Sequence, residues 1–490
     1  MSRPVNRRTA LQHLSLGTAM TAAGVSFWPT RSVFAQDRRI TVPGQPIKDR
    51  YYIICLFGGG WDTLLTLDPR DPTVFTPQAA QATRITLGYD SLTSGPSGNS
   101  VDGQGVYLPN RLAVAGRPGR TGVGAYLGDL TLDRNLADIC IVRGVNMNTL
   151  AHDVGRVRAR TGRPPSGALP RGSSAASWLA RHYGGGELAP NLAVGEEVYN
   201  VDQPLDFDPV STASVQDLVD TLTQTSAARE LDPSVYDAID ELLDGGFPCA
   251  QPAESPVMRT AALGRAASAE MLTQNVAGQF DFLANTPAME AVRAHYGFGA
   301  SAAELTRPSA RGALAVKAIT SGFARVVSVM ITGSLDSHTG GNTGQGWNGT
   351  QGPNQQLGWN AIARMMDDLR ATPIGDGSGD SYWDRTTIVA YSDFGRTPWI
   401  NASGGRDHWL TSAYFLAGAD IRGGQVMGAS RDVGYMPAYT DLRTGALDAA
   451  GEIIRPAHIW QTLFYAAGFD MATDPADMRV PPLLPVLRNG

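Results

Sequence analysis

Unbroken apolar runs recur along the 490-residue chain, and several give way to glycine or a polar loop. They predict strands at 51–57, 138–143, 325–331, 386–391 and 413–417. Runs without polar alternation are typical of strands buried on both faces of a parallel sheet. Helix-like stretches at 355–369 and 456–467 alternate with them. The alternation predicts an α/β fold with a mostly parallel, doubly wound central sheet.

A long stretch between the predicted strands has a helical pattern in place of unbroken apolar runs. Residues 211–300 look mostly helical, and Asp232-Pro233 and Gly245-Gly246 divide them into separate helices. We interpret this stretch as a helical insertion packed on one face of the sheet. The predicted organisation is a single domain over residues 36–490 with a helical insertion at about 203–310.

The N-terminus has the features of an export signal. Arg7-Arg8 precede a moderately apolar stretch, 9–28, and Val33-Phe34-Ala35 offers a small-residue cleavage site. Gln12 and Ser15 are among the polar residues that make the stretch too polar for a stable membrane span. We predict a twin-arginine signal over residues 1–35, the twin-arginine translocation machinery as a partner, and a periplasmic or extracellular location. An ordinary secretory signal or an uncleaved anchor is the alternative.

Net charge narrows the class of partners. The chain has 40 basic and 46 acidic residues, a net charge of −6, and losing the four arginines within residues 1–35 would make it −10. Phosphate binding depends on clustered positive charge, so we expect no nucleic-acid partner. No second apolar stretch is long enough to predict a stable membrane span.

Metal-type ligands follow three of the predicted strands. Asp62, Asp336 and Asp393 come after apolar runs, and His338 and His408 lie in the same or adjoining loops. In an α/β sheet, ligands bind at the carboxyl ends of the strands. Two carboxylates about 4 Å apart repel by roughly 4 kcal/mol at an effective dielectric near 20, and a divalent cation removes that repulsion. Imidazole nitrogen shifts the expected ion from Ca²⁺ or Mg²⁺ toward Zn²⁺ or Mn²⁺, without fixing its identity.

Each of these residues also has a purely structural interpretation. Asp62 follows three glycines and is suited to cap the next helix. Asp336 and Asp393 are suited to Asx turns, and His408 to a packed, hydrogen-bonded position. What favours a metal site is the joint pattern, since every candidate lies directly after a buried strand or in the adjoining loop.

The same segments resemble a known family, the sulfatase-like, twin-arginine-exported domain-of-unknown-function family of the alkaline phosphatase superfamily. The matching segments are Gly58–Asp62, Asp336–His338, Ser392–Pro398, Gly404–Trp409 and Gly418–Gly428. The resemblance implies an alkaline-phosphatase-like α/β/α sandwich. It also implies one or two divalent metals, with ligands at Asp62, Asp336, His338, Asp393 and His408, and hydrolysis or transfer of phosphate or sulfate esters.

The chain departs from the superfamily pattern at two places. Phe394 stands where superfamily enzymes usually carry a further His or Asn ligand. Near the expected nucleophile this chain has Ala151, where the family often has Ser, so Thr149 is the nearest hydroxyl and His152 a candidate acid, base or ligand. Thr149 is equally suited to a helix N-cap. The absence of cysteine there disfavours a formylglycine-type sulfatase.

These observations lead to one leading hypothesis and two rivals. We expect an exported, metal-dependent hydrolase of small-molecule or glycan phosphate or sulfate esters, in which Thr149 or a metal-bound water attacks. Arg396 and Arg406 are candidates to grip the oxyanion, or loop-bracing arginines. One rival is a non-catalytic exported binding or scaffold protein that keeps the fold. The other is a phosphomutase or phosphotransferase using the same ions.

Overall fold

The architecture comes from a computed structural model. It describes residues 49–89, 100–101, 107–108, 113–114, 122–167, 169–227, 276–340, 348–469 and 478–488. The predicted export signal lies outside these residues. No helix in the described ranges is long and apolar enough to cross a membrane.

A nine-stranded sheet forms the centre of the described structure, in the order β2-β9-β3-β8-β7-β1-β6-β4-β5. Its strands are β1 (Tyr51–Phe57), β2 (Ala113–Val114), β3 (Ile139–Asn146), β4 (Asn191–Val194), β5 (Val210–Thr212), β6 (Val326–Thr332), β7 (Thr386–Ser392), β8 (Thr411–Gly418) and β9 (Gln425–Gly428). Every neighbouring pair is parallel except those made by β8, which runs antiparallel to both β3 and β7. The predicted α/β fold with a mostly parallel sheet is confirmed.

Helices flank the sheet. In the described ranges they are α1 (Ala80–Thr83), α2 (Asp133–Leu136), α3 (His152–Thr161), α4 (Ala175–Tyr183), α5 (Val215–Ala227), α6 (Val276–Phe280), α7 (Pro287–Tyr296), α8 (Pro308–Thr320), α9 (Asn348–Ala371) and α10 (Pro456–Ala467). The helix predicted at 355–369 is therefore longer, beginning at Asn348. The helix predicted at 456–467 has the expected limits.

Strand β1 shows why the sheet is covered on both faces. Its seven residues are all buried, and alternate side chains point to opposite faces. Ile53, Cys55 and Phe57 pack into one hydrophobic core together with residues of α8 and α9. Tyr52 and Ile54 pack into a second core with residues of α4 and α10. The result is a three-layer α/β/α arrangement.

The predicted insertion at about 203–310 is described only in part. Its described part has a 3-10 helix at Leu205–Phe207, then β5, an edge strand of the central sheet, and then α5, α6 and α7. Residues 228–275 lie outside the described ranges. The domain limits and the extent of the insertion therefore stay predictions.

Candidate metal centre

Sheet topology brings five loops to one edge. Strands β1, β3, β6 and β7 run in the same direction, so the loops after their carboxyl ends share that edge. Strand β8 runs the opposite way, so the loop before it lies there too. These loops carry Asp62, His152, Asp336, Asp393 and His408.

Three histidines in these loops are anchored in the same way. Each of His152, His338 and His408 bonds through Nδ1 to an oxygen that accepts a hydrogen bond. The acceptors are Asp393 Oδ2 for His152 at 2.6 Å, Asp407 Oδ1 for His338 at 2.8 Å and the Leu150 carbonyl for His408 at 2.6 Å. A neutral imidazole that donates from Nδ1 carries a lone pair on Nε2.

The three Nε2 atoms surround the Asp336 carboxylate. Asp336 Oδ1 lies 3.1 Å from Nε2 of His338 and 3.4 Å from Nε2 of His408, and Oδ2 lies 3.6 Å from Nε2 of His152. In a tetrahedral zinc site with ligands ~2.0–2.1 Å from the ion, neighbouring ligand atoms are about 3.4 Å apart. Ligand atoms of His152, Asp336 and His408 all lie within 4.8 Å of one another, and Nε2 of His338 is close to two of these three residues. This spacing suits one small divalent cation held by His152, Asp336 and His408, with His338 beside it.

Two further observations show that these groups fit a cation. Nε2 of His152 is buried and has no hydrogen-bond partner among the described residues. Nε2 of His338 and Nε2 of His408 lie only 2.8 Å apart, and with both Nδ1 hydrogens committed their lone pairs face each other. Burial lowers the pKa of His408, although the hydrogen bond to the Leu150 carbonyl acts in the opposite direction. The lowered pKa favours the neutral imidazole, which is the form that binds a metal. A cation bound here would give Nε2 of His152 a partner and would remove the repulsion between the lone pairs of His338 and His408.

His152, His338, His408 and Asp336 form what we call the imidazole–Asp336 cluster. The Asp336 carboxylate at its centre is ionised over a wide pH range. The Asp336 side chain is 49% exposed. Its limited burial favours a higher pKa, but the hydrogen bond and charge of Arg396, with His152 and His338, lower the pKa of Asp336 to about 2.

Asp393 supports the cluster from behind. Its side chain is fully buried, and its Oδ2 accepts from His152 Nδ1, from Arg156 Nε at 3.2 Å and from Gly59 N–H at 3.3 Å. A carboxylate on the far nitrogen of a metal-binding imidazole fixes the ring and raises its basicity. The sequence predicted Asp393 as a direct ligand, whereas its nearest contacts are those of a residue that positions His152.

Close packing between α3 and the end of β7 makes this contact possible. A Cβ added at Gly155 would lie 2.4 Å from the Asp393 carbonyl oxygen, so only glycine lets α3 approach so closely. Gly59 has φ of 110°, which L side chains rarely adopt, and this conformation accompanies its N–H bond to Asp393. Both glycines are therefore parts of the site.

Phe394 packs against two of the imidazoles. Its buried ring lies with its centroid 4.6 Å from that of His152 and 4.4 Å from that of His408. Where a further polar ligand was expected from the resemblance, the chain places an apolar brace. The ring limits the movement of both imidazoles and shields one side of the cluster from water.

Asp62 has a different environment. It is buried, its Oδ2 lies 3.2 Å from Nε of Arg406, and its Oδ1 accepts from Leu64 N–H at 3.1 Å, capping a short 3-10 helix at Thr63–Leu65. Burial raises the pKa of Asp62, opposed chiefly by the Arg406 charge. The described contacts therefore give Asp62 the capping role rather than a place among the imidazoles.

The two arginines proposed to bind the oxyanion are also buried. Arg396 donates to Asp336 Oδ1 at 2.6 Å, to the Gly60 carbonyl at 2.9 Å and to the carbonyls of Gly59 and Arg406. Arg406 donates to the Thr397 carbonyl at 3.0 Å and pairs with Asp62. Both side chains are 0% exposed. These contacts are the ones expected of loop-bracing arginines, and a role of Arg396 or Arg406 in binding an oxyanion stays a prediction.

Thr149 lies in the loop between β3 and α3. Its Oγ1 accepts from Ala151 N–H at 3.1 Å, a local turn that precedes His152 at the helix start. This bond uses an oxygen lone pair and leaves the hydroxyl hydrogen available. The role of Thr149 as nucleophile stays a prediction.

Sequence reasoning missed two of the supporting residues. They are Asp407, which bonds to His338 Nδ1, and Arg156, which bonds to Asp393. The available signal for Arg156 was its spacing, because residues four apart on a helix share a face and His152 begins α3. For Asp407 the sequence offers no comparable signal.

Comparison with known proteins gives limited further information. No curated protein matches. One similar solved structure is a protein in the alkaline phosphatase superfamily from Vibrio parahaemolyticus, with 10% identity and a TM-score of 0.35, covering 98% of this chain and 78% of that one. A similarity of this size carries no argument, so the architecture rests on the topology above. Residues 129–452, roughly two thirds of the chain, match the family described as "Protein of unknown function (DUF1501)", and the chain belongs to that family.

Proposed function

We propose that the protein is a metal-dependent hydrolase of phosphate or sulfate esters. The observation that carries the proposal is the convergence of three imidazole Nε2 atoms on the Asp336 carboxylate. Three nitrogens and one carboxylate oxygen suit Zn²⁺ better than Ca²⁺ or Mg²⁺, which prefer oxygen ligands, and Mn²⁺ is the next choice. When bound, such an ion supplies Lewis acidity and lowers the pKa of a bound water to about 7.

The protein's own residues would prepare the site for this chemistry. Asp393, Asp407 and the Leu150 carbonyl hold the three imidazoles with Nε2 directed inward. Arg396 keeps Asp336 ionised and in place. Because these positions are set before a substrate arrives, little reorganisation is needed at the reacting centre.

A second candidate function has one observation in its favour. Arg396, the residue expected from the sequence to bind the substrate anion, is buried and bonded to four protein oxygens. A non-catalytic exported protein with a structural ion would need no anion-binding arginine. The burial of Arg396 therefore favours the binding or scaffold protein as the second candidate.

Metal content and ester hydrolysis together test the proposal. We expect the purified protein to bind about one equivalent of Zn²⁺ or Mn²⁺ and to hydrolyse an aryl phosphate, an aryl phosphodiester or an aryl sulfate, with release of inorganic phosphate or sulfate. Asp336→Asn should lose both properties. Asp376→Asn is the matched control, because Asp376 is a similarly exposed carboxylate paired with Arg385 at 2.8 Å, outside the cluster.

The outcomes separate the candidates. Bound metal without turnover on any of the three esters would favour the binding or scaffold protein. Transfer to an added alcohol in preference to water would indicate a phosphotransferase or phosphomutase. If Thr149→Ala keeps the activity that Asp336→Asn loses, the nucleophile is water; if both lose it, Thr149 attacks.

Export is a further part of the proposal. It is supported by Arg7-Arg8 and the weakly apolar stretch that follows them. A fusion of residues 1–35 to a folded reporter would test it. Export that depends on both arginines supports a twin-arginine signal, and export that survives their replacement by lysine supports an ordinary secretory signal.

A further inference from the structure

Arg156 differs from the other arginines near the cluster. It lies on α3 one turn after His152, on the same helix face. Its Nε donates to Asp393 Oδ2, the same oxygen that accepts from His152 Nδ1. The shared acceptor fixes the guanidinium beside the imidazole.

The outer edge of this guanidinium is available. The Arg156 side chain is 38% exposed, whereas the side chains of Arg396 and Arg406 are 0% exposed. Within the described parts of the chain, Nη1 and Nη2 of Arg156 have no hydrogen-bond partner. Two parallel N–H groups on a planar fork match the geometry of two oxygens of a phosphate or sulfate group.

The acids near Arg156 each share their charge with another cationic group. Asp393 shares its charge between His152 and Arg156. Glu196 and Glu197 follow β4 and pair with Arg160 at 2.6 and 2.9 Å, and the Arg156 charge also acts on both carboxyl groups. A cation held by the imidazoles and Asp336 would add positive charge on the same side, so an oxyanion there would have charge partners on two sides.

We propose that Arg156 binds the phosphate or sulfate group of the substrate and holds it beside the imidazole–Asp336 cluster. The inference rests on the proposed function, and it supplies the anion-binding group that the buried Arg396 does not provide. Because the donors are an arginine fork, the substrate class is a tetrahedral oxyanion ester and not a neutral amide or carboxylic ester.

Cobalt(II) is a suitable probe, because its absorption bands respond to a change of ligand whereas Zn²⁺ has a filled d shell. The cobalt-loaded protein is titrated separately with inorganic phosphate and with imidazole, a neutral metal ligand. Arg156→Ala should weaken phosphate binding by about 10- to 100-fold, as expected for the loss of charge-assisted hydrogen bonds, and leave imidazole binding within twofold. Arg156→Lys should be intermediate, since it keeps the charge and loses the fork.

Arg158 provides the matched control. It lies two residues further on α3, about 200° around the helix axis, and has the same charge. Arg158→Ala should bind phosphate within twofold of the wild type. Equal phosphate affinity in Arg156→Ala and the wild type would overturn the inference, as would a parallel fall in phosphate and imidazole affinity, which would indicate damage to the metal ligands.

Failure of cobalt to bind would count against the proposed function, and a second titration then decides the inference by itself. Calorimetric titration of the metal-free protein with phosphate should still show weaker binding in Arg156→Ala than in the wild type. Indistinguishable binding in that titration would overturn the role of Arg156.

Discussion

Replacing His408 with alanine is expected to lower the affinity for Zn²⁺ by more than about 100-fold. Loss of a partner behind a metal ligand typically costs 10- to 100-fold, and loss of a direct ligand should cost more. His408 contributes Nε2 at 2.8 Å from that of His338 and 3.4 Å from Asp336. Its Nδ1 bonds to the Leu150 carbonyl, and its ring packs against Phe394, so the substitution removes a ligand together with one backbone contact and one ring contact.

The measurement is competition for Zn²⁺ against a chromophoric chelator. His295→Ala is the control, because His295 lies on α7 and bonds through Nε2 to the Arg364 carbonyl at 3.0 Å, away from the cluster. The control should keep wild-type zinc affinity. Equal zinc affinity in His408→Ala and the wild type would show that this imidazole is not a ligand.

Replacing Asp62 with asparagine is expected to lower the free energy of unfolding by about 3–5 kcal/mol while zinc affinity stays within a few-fold of the wild type. The substitution removes the carboxylate charge that lies 3.2 Å from Nε of the fully buried Arg406 guanidinium. Breaking a buried pair by removing one partner strands the other charge in a low-dielectric environment. Asn keeps the side-chain oxygen that accepts from Leu64 N–H, so the loss would reflect the charge.

Urea denaturation and zinc competition are measured on both Asp62→Asn and Asp336→Asn, and we expect opposite results for the two variants. Asp62→Asn should lose stability and keep zinc, whereas Asp336→Asn should lose zinc affinity. A large loss of zinc affinity in Asp62→Asn, with stability unchanged, would restore Asp62 as a ligand and contradict the site described above.

The fold could be predicted well because apolar runs report burial directly. Strand β1 has the predicted limits, and β7 differs by one residue. Direction is a different matter, since an apolar run has the same composition whether it runs up or down a sheet. Strand β8 is antiparallel to both neighbours, and this reversal is what places His408, which precedes it, at the edge of the other ligands.

The candidate site could be predicted only in part. Asp336, His338 and His408 do lie together, because their loops share one edge of the sheet. Whether a strand-end acid meets a metal or an arginine depends on tertiary neighbours that are distant in sequence. Asp62 meets Arg406, 344 positions later in the chain, and Asp393 meets His152. No local motif contains that information.

One principle connects these differences. A histidine that binds a metal through Nε2 also needs a hydrogen-bond partner at Nδ1. In this chain, acidic side chains lie both at Nε2 and at Nδ1 of the histidines. Asp393 and Asp407 orient imidazoles, Asp336 faces all three of them, and Asp62 neutralises a structural arginine. Four acids at one sheet edge therefore have three different environments.

X-ray absorption spectroscopy of the zinc-loaded protein tests the central claim most directly. The account predicts about three imidazole nitrogens and at least one oxygen at ~2.0–2.2 Å, with the outer-shell scattering of imidazole rings. Loss of one imidazole from that shell in His152→Ala would identify the ligand that the sequence left open. A zinc ion surrounded by oxygen alone, or an imidazole count unchanged in His152→Ala, would contradict the account.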